Sequence, residues 1–295
     1  MKFLKFSKPK NPGFGLDTNY YMSVLSGQAV LPPISTIAHP KGEAGAVPAF
    51  GVPLNAGAGK HDLGRAMERG QYALASLDRK TVLRLRVLSR EEAGFDPAYI
   101  VRSALADTLP AETLVRLKST WHVLQLSVES HDAAVYPALD LILDICARLG
   151  ERTEGVIADP MAQRYLLPSE LRRVPRADPR VDAREHVAVR FEASREGYHA
   201  YTLGLQKFGM PEFEVYRLES TDGPVSEAFL TGLAQSALLG APAAAGTRVG
   251  AVSEPLEVRA GGLDRGKWEG IPCLELLPAT GKSPSAALAA WKAEL

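Results

Sequence analysis

TVLRLRVL, residues 81–88, places Leu83, Leu85 and Val87 on one side and Arg84 and Arg86 on the other, the period of a half-buried strand. Downstream, Asp96-Pro97 supplies a side-chain cap and a pre-set first helical position, which predicts a helix towards Thr108. Pro110 opens a second short one. WHVLQLSVE, 121–129, returns to alternation through Leu124, Leu126 and Val128. Over 133–149, Leu139, Ile142, Cys146 and Leu149 share one helical face, with Gly150 where a left-handed cap is wanted. EGVIAD, 154–159, adds a third strand. The order β-α-β-α-β predicts helices packed on a sheet through right-handed crossovers.

Outward from this block the chain changes character. Residues 1–78 are rich in Gly, Pro and Ala, which interrupt long elements. Their scattered apolar residues predict a segment packed on the body, with one short helix over 61–77 capped by Asp62 and carrying Leu63, Met67 and Leu74. The first α/β unit then spans 79–170. Residues 171–184, LRRVPRADPRVDAR, lack an apolar period and read as a linker. Residues 185–295 form a second unit of order β-β-β-α-β-β. EHVAVRFEA and YHAYTLGL are its antiparallel hairpin. A three-residue loop, Arg195-Glu196-Gly197, would set Val187, Val189 and Phe191 opposite Leu205, Leu203 and Tyr201, six apolar side chains on one face. FEVYRL is the next strand, Asp222 and Pro224 start a helix to about Leu239, strands near 248–258 and 271–277 follow, and Ser283-Pro284 starts a last helix. The fold class predicted is α+β, with two sheet-plus-helix units.

Composition narrows the function. Lys+Arg and Asp+Glu are both 34, whereas a binder of duplex nucleic acid gains most of its non-specific affinity from a basic excess. No stretch approaches the about 20 apolar residues needed to span a bilayer. The opening MKFLKFSKPKNPG lacks the apolar core of a secretory signal, so a cytoplasmic location is expected. Lys2, Lys5, Lys8 and Lys10, interleaved with Phe3, Leu4 and Phe6, could touch an anionic surface weakly, although a plain N-terminal leader is the simpler account.

Known chemical motifs are mostly missing. NAGAGKHD, 55–62, has Leu54 and His61 where a phosphate-binding loop needs glycine and a hydroxyl. Cys146 and Cys273, far apart, make neither a disulfide framework nor a zinc knuckle. Of the six histidines, His186 and His199 share a hairpin on opposite faces and far ends, and His122 and His131 flank one strand. No metal site and no cofactor are expected. Asp140 and Asp144 lie a helical turn apart on a face expected to be wet.

One segment is more specified than composition requires: YHAYTLGLQKFGMPEFEVYRL, 198–218. Gly209 and Pro211 impose a sharp turn, Phe208 would plug the corner, and Glu212 and Glu214 begin the next strand. Thr202, Gly204, Leu205, Lys207, Phe208, Gly209, Pro211, Glu212 and Glu214 resemble an uncharacterised bacterial family with a T-x-G-L-x-K-F-G-x-P-E-x-E corner. More distantly they resemble suppressor-of-fused-like domains. Tyr201 stands where such families often carry His. The resemblance implies an α+β domain without an established catalytic set, acting as a protein-binding, regulatory or toxin-neutralising module. The expected partner is another protein. Its candidate contact residues are Thr202, Lys207, Phe208, Glu212 and Glu214, with Lys207 and Glu212 exposed as polar handles. The alternative is a hydrolase or transferase with a site between the two units, using His122 or His199 with Asp159 or Glu214.

Overall fold

A computed structural model describes residues 21–39, 49–54, 63–130, 137–171, 181–262 and 266–295. The basic N-terminal segment, NAGAGKHD with Asp62, His131 and most of the expected linker lie outside the described residues. The chain divides into two compact units, one within Thr18–Pro179 and one within Arg180–Leu295, so the boundary falls inside the stretch read as a linker.

The first unit is a seven-stranded sheet ordered β2-β3-β4-β5-β1-β6-β7. Its strands are β1 (Tyr21–Ser26), β2 (Ala49–Pro53), β3 (Gly70–Ser76), β4 (Val82–Ser89), β5 (His122–Ser130), β6 (Val156–Asp159) and β7 (Arg164–Leu166). Leu83, Leu85 and Val87 are buried as their alternation requires. Three short or medium helices, α1 (Ile34–Ala38), α2 (Pro97–Val101) and α3 (Ala111–Lys118), precede the long α4 (Pro137–Arg152). Asp96 caps α2 by accepting from Ala98 N at 2.9 Å.

Several expectations are corrected here. β4 and β5 pair antiparallel, and β5 and β6 run alike only because β1 lies between them, antiparallel to both. Residues 70–76 are a strand rather than part of a helix over 61–77. Tyr72 and Leu74 alternate inward and the backbone is paired on both sides, by β2 and β4. Gly150 lies inside α4 and does not cap it. A Cβ there would meet Pro168 at 2.8 Å and Ile157 at 3.0 Å, so close packing explains the glycine. Asp144 is buried rather than wet, because α4 is buried on every side. It is compensated by Arg148 one turn later at 2.7 Å, and Arg148 also donates to Ile37 O.

The second unit is a six-stranded mixed sheet ordered β11-β12-β13-β10-β9-β8. After the short α5 (Ala183–His186) come β8 (Ala188–Ser194), β9 (Gly197–Leu203), β10 (Glu212–Leu218), α6 (Gly223–Leu238), β11 (Arg248–Gly250), β12 (Pro255–Ala260), β13 (Cys273–Pro278) and α7 (Pro284–Ala293). Ser283 caps α7 by accepting from Ala286 N at 3.2 Å. α6 packs on β8 and β9, α7 packs on β10 to β13, and Phe229 and Trp291 join the two helices at 4.9 Å. β10 and β13 are parallel, and the remaining pairs are antiparallel.

The hairpin register also differs from expectation. Val189 opposes Thr202, Phe191 opposes Ala200 and Ser194 opposes Gly197, which leaves a two-residue Arg195-Glu196 turn. The expected register assumed a single apolar face. β9 is instead buried on both faces, through Ala200 and Thr202 on one and His199, Tyr201 and Leu203 on the other. A polar residue opposite an apolar one is then no loss. Phe191 and Tyr198 stack at 5.0 Å on the face that receives α6, where the nearest neighbour of Gly223 is the Phe191 ring.

Candidate functional site

Side chains directly opposite one another project from the same face of a sheet. On the face of the second unit turned away from α6, this groups Glu192 with His199, Arg190 with Tyr201, Glu214 with Tyr201 and Glu275, and Glu212 with Cys273. Strands of this kind usually bury apolar groups. Here the strands β8, β9, β10 and β13 deliver carboxylates, a histidine and aromatic rings instead.

The corner 202–214 builds from Glu212. Its carboxylate is fully buried and accepts from Thr202 Oγ1 at 2.7 Å, Gly204 N at 2.8 Å and Gln206 N at 3.2 Å. Thr202 Oγ1 also accepts from Phe213 N at 2.8 Å. Burial pushes the Glu212 carboxyl above its usual range, against the pull of these donors and of the Lys207 charge. Gly209 takes the left-handed φ of 67° that the turn needs, and Phe208 packs edge-on against His186 at 5.6 Å. Lys207 and Glu212 are both 0% exposed, so the expectation that they stand out as polar handles is corrected. The turn Leu205–Phe208 directs Lys207 inward towards the carboxylate that organises the corner. Thr202, Phe208 and Glu214 are buried as well.

Glu214 organises a different environment. Its Oε1 accepts from Gly262 N at 2.7 Å, and its Oε2 accepts from Trp268 Nε1 at 2.6 Å. His199 Nε2 lies 3.3 Å from the same Oε2. Burial would raise this carboxyl, but the hydrogen bonds from Gly262 and Trp268 and the nearby His199 imidazole outweigh it and hold the group below its usual range. A Cβ on Gly261 would meet Glu214 Oε1 at 2.8 Å, so the backbone passes closer than any side chain would allow. The His199 ring stacks on Tyr216 at 3.9 Å and leans on Tyr201 at 4.7 Å. Glu275, across the β10–β13 pair, is driven the other way: burial, then the Glu214 charge, raises it, against Arg217 and Arg259.

His199 and Glu275 both line a cavity of about 1240 Å³, together with Tyr216, Glu192, Lys267 and Lys282. They are 3% and 7% exposed. Charges at its margin are paired: Arg217 with Glu196 at 2.7 Å, Lys267 with Glu192 and Lys282 with Glu254. A second cavity of about 800 Å³ is lined by Trp268 with Pro211, Gly261, Ile271 and Cys273. Burial, then the Glu214 and Glu212 charges, push the Cys273 thiol far up, which disfavours the nucleophilic thiolate. Among the described residues no group of three His, Cys, Asp or Glu side chains converges to hold a metal ion.

Of the residues singled out in the sequence, His199 and Glu214 are thus brought together, within one unit. His122 and Asp159 lie in the other. His122 Nε2 sits 3.0 Å from Ala29 O, and Asp159 accepts from Ala162 N at 3.1 Å. Glu275, Tyr216, Lys267 and Trp268 were not foreseen. CLELLP does carry a signal, since Leu274 and Leu276 occupy one face and leave Glu275 on the face of Glu214. Comparison with models of protein families, with curated proteins and with solved structures finds no match.

Proposed function

We propose that the second unit is an acid–base catalytic module of the hydrolase or transferase class, working on a small polar group bound in the larger cavity. One observation carries this reading. Glu214 and Glu275 oppose each other across two strands, their environments push their ionisation apart, and His199 stands beside the ionised member. Carboxyl groups so separated supply an acid and a base in one site. In this reading Glu275 keeps its proton to higher pH and donates it to a leaving group. Glu214 orients His199 and stabilises its imidazolium while the ring accepts a proton from water or an acceptor hydroxyl. Tyr216 and Tyr201 flank the imidazole and limit its rotation.

The test needs no known substrate. The Glu275 carboxyl, followed by carbon NMR, should titrate above the ordinary glutamate range, and diethyl pyrocarbonate should modify His199 in the folded protein. A Glu275 that titrates like an exposed glutamate, with an inert His199, would overturn the reading. On nitrophenyl esters, phosphoesters and glycosides, Glu275→Gln and His199→Asn should each lower any turnover by roughly 10²-fold or more.

A second reading, a protein-binding or regulatory module, draws on the likeness of the 202–214 corner to the uncharacterised bacterial family. Because Lys207 and Glu212 are interior, its surface would be the cavity rim, with Arg195 and Arg217 at the exposed edge. The same variants separate the two readings: a binding module has no turnover for Glu275→Gln to remove.

A further inference from the structure

Glu214 is pinned at both oxygens by one stretch of chain, with Gly262 N on Oε1 and Trp268 Nε1 on Oε2. The indole therefore shares with His199 Nε2 the oxygen through which the carboxylate addresses the histidine. An indole N–H donates, never accepts and does not titrate in water, so it favours the ionised carboxylate over the protonated one. The indole is itself fixed. It meets the Tyr201 ring edge-on at 5.6 Å and 90°, and it is 5% exposed. The adjacent Lys267 is tied to Glu192, with its Nζ 3.9 Å above the Tyr201 ring.

Other groups that face Glu214 are less constant. His199 and Tyr201 approach from β9, Glu212 and Tyr216 share its own strand, and Cys273 and Glu275 approach from β13. Of these the carboxyls of Glu212 and Glu275 change charge with pH, and the Cys273 thiol is only a weak donor.

We infer that Trp268 is a positioning residue: its indole N–H sets the orientation of Glu214, and through it the orientation of His199. This rests on the acid–base reading of the cavity and names the group that keeps that pair in working order. Groups that orient a functional histidine commonly contribute 10- to 100-fold without touching substrate; Glu214 holds that position behind His199, and Trp268 fixes Glu214.

Trp268→Phe keeps an aromatic ring and removes the donor. In this variant the Glu214 carboxyl, followed by carbon NMR, should titrate at higher pH than in the parent protein, and any turnover should fall about tenfold. Placed on Glu214→Gln, the same substitution should add little, because a residue acting through Glu214 has nothing left to act on. An unchanged Glu214 midpoint in Trp268→Phe would overturn the inference, as would full additivity of the two substitutions in melting temperature. Failure of the underlying reading looks different: His199→Asn and Glu275→Gln would leave turnover unaltered while the Glu214 midpoint still moved in Trp268→Phe.

Discussion

Glu212 and Glu214 share one face of β10, yet burial dominates the first and hydrogen bonding the second. This gives opposite pH dependences. Glu214 titrates lower folded than unfolded, so its contribution to stability is present above the unfolded value of about 4.3 and fades as pH falls through the folded one. Glu212 and Glu275 titrate higher folded than unfolded, so their contribution is complete below about 4.3 and is lost as pH rises through the folded value. Melting curves between pH 3 and 7 should therefore show the deficit of Glu214→Gln growing with pH through its acid window. The deficit of Glu275→Gln should shrink as pH rises above about 4.3. Parallel curves for the two variants would contradict the assignment. Glu212→Ala removes three accepted hydrogen bonds and the charge facing buried Lys207, and should cost about 3 kcal/mol or more by thermal or denaturant unfolding. The sequence announced Glu212 as special through its corner but could not say that it points inward. A charged residue two positions from another on a strand shows only which face the pair shares. Whether that face is covered depends on Gly261, Gly262, Trp268 and Cys273, which are far away in sequence and belong to no repeat or motif.

At the scale of elements, local chemistry was legible wherever a cap or a clear period existed. Asp96-Pro97 and Ser283-Pro284 start their helices as read, and 81–88 and 121–129 are strands. Errors arose where two-sided burial erased the period. β9 is buried on both faces, so apolar matching chose the wrong register, and GQYALAS was short enough to pass for the end of a helix. The strand order was hidden for another reason: β1, which separates β5 from β6, comes from a Gly/Pro-rich stretch that shows no strand period. Gly204 offers a test of how tightly the corner is built. Its φ is 120°, and a Cβ would lie 2.4 Å from His186 O. Gly204→Ala should cost at least about 2 kcal/mol and broaden amide signals around Gln206, whose N–H shares the Glu212 acceptor. A variant as stable as the parent would mean that the turn relaxes freely.

Over the whole molecule, the α+β class is what the sequence predicted, and among the described residues the Asp144–Arg148 pair lies in one unit and the Glu212 network in the other. Arg148→Met, beside Asp144, and Glu212→Ala should therefore lower stability additively, within about 0.5 kcal/mol in a double variant. A large coupling energy in denaturant unfolding would show that the networks communicate. Among the described residues no helix is long and apolar enough to cross a membrane. The protein also carries its own optical probe. Of three tryptophans, Trp121 is 60% exposed, whereas Trp268 is sealed against a carboxylate. An aqueous quencher such as iodide would silence the former first, and with Trp291→Phe the emission that survives would brighten or dim with the charge beside Trp268, letting a cuvette follow proton occupancy in the interior.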